Sequence, residues 1–131
     1  MKEIVFLNKD QILHLHKKQI MDYGGLVGIR DLGLLESAIA QPSVSFGGEY
    51  LHHSIFLMAA AYFYHISQNQ PFIDGNKRTG FLCMYTFLKL NGHTYIASNE
   101  ITYPYLLAVA ENKKSKEELA NFIQQYSISL S

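Results

Sequence analysis

A run of apolar and aromatic residues stands near the middle of the chain: Ile55-Phe56-Leu57-Met58-Ala59-Ala60-Ala61-Tyr62-Phe63-Tyr64. Such a run is apolar on nearly every side of a helix, which indicates a central helix buried in the core. It is expected to end before Pro71, and a second such helix begins near Gly75 and stops at Asn91-Gly92. Two buried helices thus flank one short loop, and their aromatic side chains are assigned to the core rather than to a base-stacking surface.

Four further helices are predicted from capping residues and stop signals. The first covers about 9–22, from a capping-box pattern of Asn8 and Gln11 to the glycines that follow Tyr23. The other three begin at Arg30-Asp31, at Ser98 or Asn99, and at the capping box that starts with Ser115. The pattern predicts an all-α, compact bundle of about six helices in a single domain over residues 1–131.

Two segments between the helices predict other structure. His93-Thr94-Tyr95-Ile96 is expected to form a brief strand that pairs with Ile4-Val5-Phe6. Residues 43–50 contain paired glycines, no helical period and the isolated aromatic Phe46, which indicates a mobile flap loop. The bundle therefore carries a minor β element and a flap.

Composition and charge limit the class of protein. The 131 residues are 48% hydrophobic and 17% charged, which provides for one hydrophobic core. Eleven basic residues balance eleven acidic ones, so the positive field that non-specific nucleic-acid binding needs is missing. The longest apolar stretch is about half of the roughly 20 residues that cross a membrane, and lone Cys83 among apolar neighbours indicates a buried, reduced thiol. We expect a cytoplasmic protein that contacts neither nucleic acid nor membrane directly.

The loop between the two buried helices concentrates groups that suit a phosphate. Because the first amides of a helix lack internal partners and lie at the positive end of its dipole, they stabilise an anion. Gly75 lets a ligand approach the backbone, Asn76 offers an amide donor, Lys77 a point charge and Arg78 a planar fork. Asp74 has the oxygen ligands that Mg²⁺ prefers.

The residues of this loop also allow a purely structural interpretation. Asp74 would then cap the helix, while Lys77 and Arg78 would be ordinary solvated charges and Phe72 a core plug. The histidines offer no competing metal site, since His14 and His16 lie about 200° apart around a helix axis. Residue chemistry alone leaves the phosphate site and the structural role open.

The loop resembles the signature of the Fic/Doc superfamily, written as His-Pro-Phe, any residue, Asp or Glu, Gly or Ala, Asn, Gly or Lys, Arg. Lys77 is similar to the death-on-curing (Doc) branch, because the Fic branch has glycine there. Other segments also resemble Doc-type sequence: Tyr23-Gly24-Gly25, Gly28-Ile29-Arg30-Asp31, Gly33-Leu34-Leu35-Glu36-Ser37-Ala38 and Phe87-Leu88-Lys89-Leu90-Asn91-Gly92. The resemblance covers nearly the whole chain and implies a Fido-type bundle.

The resemblance implies an ATP-dependent toxin of a toxin–antitoxin system that phosphorylates a hydroxyl of a target protein of the translation-factor class. Asp74 would bind Mg²⁺, and the nucleotide would be held by Phe72, Asp74, Gly75, Asn76, Lys77 and Arg78. The flap at 43–50 would align the target, an elongation factor. A Phd-like antitoxin would insert its disordered tail into a hydrophobic groove.

The catalytic positions implied by the family are Gln70, Asp74 and Arg78, and Gln70 departs from the signature, which has histidine there. A glutamine amide can orient a hydroxyl but cannot act as a general base, so the rate should fall about 10² to 10⁴-fold. His65 cannot replace it, because five residues along a helix place it about 140° away. Two alternatives stay open: a pseudoenzyme that binds nucleotide or antitoxin without turnover, and Fic-type AMP transfer, which Lys77 disfavours.

Overall fold

A computed structural model describes residues 3–130, and Met1, Lys2 and Ser131 lie outside it. Six α-helices form in this range: α1 Lys9–Tyr23, α2 Leu32–Ala40, α3 Ile55–Asn69, α4 Asn76–Leu90, α5 Asn99–Ala110 and α6 Lys116–Gln125. Four short strands accompany them: β1 Ser45–Phe46, β2 Glu49–Tyr50, β3 His93–Tyr95 and β4 Ser127–Ser129. A 3-10 helix at Gln41–Ser43 extends α2. The predicted all-α class with a minor β component is confirmed.

Helix α3 is the centre of the bundle. It packs most extensively against α4 and also against α6 and α2, while α1 packs on α4. The side chains of Tyr62, Phe63, Cys83 and Phe87 are fully buried between these helices. The predicted buried helix pair and its aromatic core are confirmed, and burial raises the pKa of the Cys83 thiol well above its ordinary value.

Capping residues begin the helices where the sequence predicts. The side chains of Asn8 and Gln11 form the capping box of α1, and Ser115 with Glu118 forms that of α6. Ser98, rather than Asn99, caps α5. Each of these side chains supplies a partner to a backbone amide that the helix itself leaves unpaired.

The predicted partner of the 93–96 strand is wrong. Strand β3 pairs antiparallel with β4, placing Thr94 opposite Ile128. The segment around Val5 is instead held by the side chain of Asn91, which donates to the Val5 carbonyl and accepts from the Val5 amide, both at 2.9 Å. An amide side chain therefore satisfies the backbone groups that a strand partner would have used.

The flap at 43–50 is an antiparallel hairpin formed by β1 and β2 around Gly47-Gly48. Both glycines have positive φ, as the turn requires. Phe46 at the tip of β1 is 85% exposed. The hairpin thus presents an unburied aromatic side chain and a short strand edge.

Candidate functional site

The loop between α3 and α4 starts with an unusual backbone conformation at Gln70. This residue ends α3 in the left-handed region, with φ of 47° and ψ of 57°, and its amide still donates to the carbonyl of Ile66. Its side chain is exposed. A non-glycine residue at positive φ is uncommon and requires support from its surroundings.

Arg30 supplies much of that support. Its guanidinium donates from Nε to the Gln70 carbonyl at 2.7 Å and from Nη2 to the Asn69 carbonyl at 2.9 Å. These carbonyls lie at the end of α3, where helix carbonyls lack internal partners and the dipole favours a cation. Arg30 therefore caps α3 from a different part of the chain.

The backbone around Arg30 also pairs with the loop. The amides of Arg30 and Asp31 donate to the Pro71 carbonyl at 2.7 and 3.1 Å, and the Ile73 amide donates to the Gly28 carbonyl at 3.0 Å. Residues 28–31 and 70–73 thus form a short bonded ladder. It fixes the direction in which the chain enters α4.

Phe72 lies beneath the loop rather than on its outer face. It is 1% exposed, and its ring stacks on the imidazole of His16 with centroids 3.8 Å apart and planes at 8°. Its backbone amide and carbonyl are both bonded by the side-chain amide of Asn76. Phe72, expected among the nucleotide-contacting residues, is enclosed by protein and supports the loop from below.

Asp74 does not cap α4, so this part of the structural interpretation is wrong, whereas its assignment of Phe72 to the core agrees with the 1% exposure of that side chain. Its Oδ2 accepts the amide of Leu26 at 2.8 Å, and its backbone carbonyl is bonded by Nε2 of His16 at 2.9 Å. The N-cap of α4 is Gly75, with φ of 75°. Within residues 3–130 no side chain caps this helix, which leaves its first amides without a side-chain acceptor.

Cationic side chains flank these amides. Lys77 and Arg78 are both exposed on the first turn of α4. The guanidinium carbon of Arg78 lies 4.3 Å from the ring centroid of Tyr23, a cation–π contact that holds the side chain beside the loop. The first turn of α4 therefore carries two exposed cationic residues and no side-chain cap among residues 3–130.

The Asn76 side chain bonds the loop itself. Its Oδ1 accepts the Phe72 amide and one N–H of its Nδ2 donates to the Phe72 carbonyl, while Nδ2 has a second N–H for a further acceptor. The backbone amide of Asn76 remains among the first amides of α4. Of the predicted site residues, Gln70, Lys77 and Arg78 are exposed and Asp74 is partly buried.

His65 points away from this loop, as the helical offset predicts. Its Nε2 lies 3.2 Å from Nζ of Lys116 on α6, so the ammonium donates and the imidazole accepts. Burial, together with nearby Lys116 and His52, lowers the pKa of His65 to about 4. His65 therefore belongs to a second polar cluster, on the α6 side of α3.

Three side chains that support the loop were not predicted: His16, Gln19 and Arg30. His16 and Gln19 are both buried on α1. Burial lowers the pKa of His16, with the hydrogen bond to Asp74 acting in the opposite direction. The spacing of three residues between His16 and Gln19 is the single sequence signal that places these two side chains on one face of α1.

Metal-binding clusters and membrane-spanning helices are both absent from the described residues. The described part of the chain contains no group of three His, Cys, Asp or Glu side chains arranged to hold a metal ion. None of the helices between residues 3 and 130 combines the length and apolar character of a membrane crossing.

A mostly helical bundle with one short loop between two buried helices defines the class of this protein, and comparison gives its family. The Fic/DOC family matches residues 6–88. Toxin Doc of Mycolicibacterium smegmatis is 37% identical over 70 residues, covering 53% of this chain and 54% of that toxin. Protein kinase doc of Escherichia phage P1 is 30% identical over 95 residues, covering 72% of this chain and 75% of that protein. The chain belongs to the Fic/DOC family, in its Doc branch.

Proposed function

We propose that this protein is a Doc-type toxin that transfers the terminal phosphate of ATP to a hydroxyl of a target protein, attenuated by Gln70. The observation that carries the proposal is the start of α4, where uncapped amides lie beside Lys77 and Arg78. The two relatives are named as a toxin and as a protein kinase, which supports the proposed phosphate transfer by a toxin.

The residues present fit a magnesium nucleotide. Asp74 uses Oδ2 for the Leu26 amide, which leaves its other carboxylate oxygen for a cation. Mg²⁺ is commonly held by one or two carboxylates together with substrate phosphates, so a single aspartate suffices. When bound, the ion would neutralise charge on the phosphates. The amides of Asn76, Lys77 and Arg78 with the two cations would hold the phosphates themselves.

In the proposed reaction, the target hydroxyl oxygen forms a bond to the γ-phosphorus. The bond from that phosphorus to its bridging oxygen breaks, ADP leaves, and the hydroxyl proton passes to solvent water. Gln70 stands where the family signature has histidine, and its amide orients a hydroxyl without taking the proton. Because phosphoryl transfer depends mostly on positioning and charge stabilisation, we expect slow turnover rather than none.

A pseudoenzyme is the second candidate, and Gln70 is the observation that favours it. Such a protein would keep the bonded loop and its anion site and bind nucleotide or antitoxin without transfer. Fic-type AMP transfer is the third candidate. It is disfavoured by Lys77, which adds bulk and charge where the Fic signature has glycine.

The proposed partners are an antitoxin and a translation elongation factor, in the cytoplasm. Exposed apolar side chains border the loop, Met21 at 75%, Leu26 at 65% and Val27 at 55%, and would suit the apolar face of an antitoxin tail. Phe46 and the edge of β1 would suit strand pairing with the target. Neither contact involves the buried core.

The test is to incubate the wild-type protein and Gln70→His with cell extract and ATP labelled at the γ- or the α-phosphate. Histidine is among the residues that tolerate positive φ, so the variant fits the backbone. We expect γ-label on protein to rise about 10² to 10⁴-fold with histidine. Gln70→Asn, which keeps an amide and tolerates the left-handed region, is the matched control and should stay at the wild-type level.

Each alternative has its own outcome in this experiment. Transfer of α-label instead of γ-label would establish AMP transfer. Absence of label with Gln70→His, despite nucleotide binding measured by calorimetry, would establish the pseudoenzyme. Absence of nucleotide binding by either form would refute the anion site itself.

A further inference from the structure

The buried face of α1 contacts the anion-facing loop through two polar side chains. His16 is 2% exposed and Gln19 is 1% exposed, and three residues of spacing put them on one face of the helix. Buried polar side chains of this kind are costly unless they are bonded. Both have partners in the loop more than fifty residues away in sequence.

His16 bonds the backbone at the turn that precedes α4. Its Nε2 lies 2.9 Å from the carbonyl oxygen of Asp74, and a carbonyl only accepts, so Nε2 carries the proton. The same imidazole stacks on Phe72 at 3.8 Å. The His16 side chain therefore contacts both the Phe72 ring and the Asp74 carbonyl, which lie on either side of Ile73 in the loop.

Gln19 lies directly beneath the N-cap of α4. Its Nε2 is 3.4 Å from the Gly75 carbonyl and 3.4 Å from Oγ1 of Thr79, both long hydrogen bonds. Its Oε1 is buried and has no hydrogen-bond partner among residues 3–130. A Cβ added to Gly75 would overlap Nε2 of Gln19 and would lie 2.9 Å from its Cδ.

We propose that His16 and Gln19 are positioning residues for the anion site, and that the length of Gln19 adds a steric requirement for glycine at position 75 to the one that its φ of 75° already imposes. The family signature admits alanine at that position, whereas here the Gln19 amide occupies the space of its Cβ. Together the two side chains set the distance between α1 and the first turn of α4, and hence the direction of the amides that a phosphate would meet. The inference rests on the proposed function where nucleotide affinity is the measured quantity.

The deciding experiment is a double-mutant cycle of Gly75→Ala, Gln19→Asn and the double variant. Asparagine keeps the amide and shortens the side chain by one methylene, so it makes room for the added Cβ. Each protein is titrated with MgATP by calorimetry and unfolded with urea. We expect Gly75→Ala to weaken MgATP binding about tenfold or more when Gln19 is present, and clearly less beside Asn at 19.

A matched control separates the contact from backbone strain. Gly92 has φ of 87°, similar to the 75° of Gly75, and the described residues place no atom within 4 Å of a Cβ built there. Gly92→Ala therefore carries the left-handed strain without the contact. We expect it to lower the urea midpoint less than Gly75→Ala does and to leave MgATP affinity unchanged.

His16 has a separate readout. We expect ¹⁵N spectra to show a proton on Nε2, and His16→Phe, which keeps a ring against Phe72, to weaken MgATP binding more than the same change at exposed His14 does. Equal affinities for the two variants, or an unprotonated Nε2, would overturn the role assigned to His16.

The cycle also distinguishes failure of the inference from failure of the proposed function. If the wild-type protein does not bind MgATP, the proposed function fails, while the coupling between positions 19 and 75 is still measured from the urea midpoints. Additive effects of the two substitutions on the midpoints would overturn the role of Gln19. Coupled midpoints with uncoupled MgATP affinities would overturn its role in positioning the anion site.

Discussion

The polar groups at the two ends of α3 differ in whether they have hydrogen-bond partners. At the C-terminal end, the carbonyls of Asn69, Gln70 and Pro71 all accept hydrogen bonds from Arg30 or its neighbouring backbone. Before the N-terminal end, His52 is 2% exposed, and neither of its ring nitrogens finds a partner anywhere in residues 3–130. The first end has its backbone paired, and the second contains a buried imidazole left unpaired.

The surroundings of the two ends differ in the same sense. The loop after α3 is flanked by exposed cations, whereas His52 borders a cavity of about 910 Å³ between the flap hairpin and the end of α4. A paired backbone holds side chains in place for a ligand. An unpaired buried group instead lowers stability by roughly 1–3 kcal/mol. The difference shows that backbone pairing supports the loop at 70–78, beneath which the single unpaired buried side-chain atom is Gln19 Oε1 among residues 3–130, whereas the opposite end of α3 has stability to gain at both ring nitrogens of His52.

Substitution of Arg30, which pairs the C-terminal end of α3, is expected to have the largest effect on stability. Arg30→Met removes two charge-assisted bonds to the end of α3, and we expect the free energy of unfolding to fall by about 2 to 3 kcal/mol. Urea unfolding at pH 7 measures it. Arg30→Lys keeps the charge near the helix end but not the fork, and should lose about 1 kcal/mol. A wild-type midpoint for Arg30→Met would show that the loop does not depend on this side chain.

Acid should weaken the polar cluster beside α3. The pKa of His65 is about 4 in the folded protein, against about 6.5 in an unfolded chain. Between these values the unfolded chain binds a proton that the folded protein does not, so stability falls as pH drops from 6.5 to 4. Because His65 is only partly buried, we expect a loss of about 1 to 2 kcal/mol.

Urea midpoints measured from pH 7 to pH 4 test this prediction. His65→Gln removes the titrating group and should flatten part of the slope, while His14→Gln, at an exposed position, should not. An unchanged slope in His65→Gln would mean that His65 does not carry this acid sensitivity.

Helix positions were predictable from sequence because their signals are local. The capping boxes at Asn8 and Ser115 lie within four residues of the amides they bond. The partner of β3 was not predicted, since β4 lies more than thirty residues further along and the apolar–polar alternation of Tyr126-Ser127-Ile128-Ser129-Leu130 indicates a strand without indicating its partner. The Asn91 side chain took the role expected of strand pairing near Val5.

The same distinction applies to the site. Asp74, Lys77 and Arg78 were recognisable because they occupy one short motif, and the family resemblance covers that motif. His16 and Arg30 act on the loop from 58 and 40 residues away, and single-sequence patterns contain no signal for such pairs. The commitment of Asn76 to the Phe72 backbone also needed the structure, because an amide in a loop serves a ligand or the backbone equally well.

The smallest expected effect on stability comes from replacing a buried histidine by leucine. Making the same replacement at His52 and at His16 compares an unpaired imidazole with a paired one. His52→Leu replaces an unpaired imidazole with an apolar side chain of similar size, so we expect the free energy of unfolding to rise by about 1 kcal/mol. His16→Leu removes the bond to Asp74 and the stack on Phe72, and should lower it. Urea unfolding at pH 7.5 keeps histidine protonation from contributing. Destabilisation by His52→Leu would show that His52 is paired in solution, and the contrast between the two ends of α3 would then be lost.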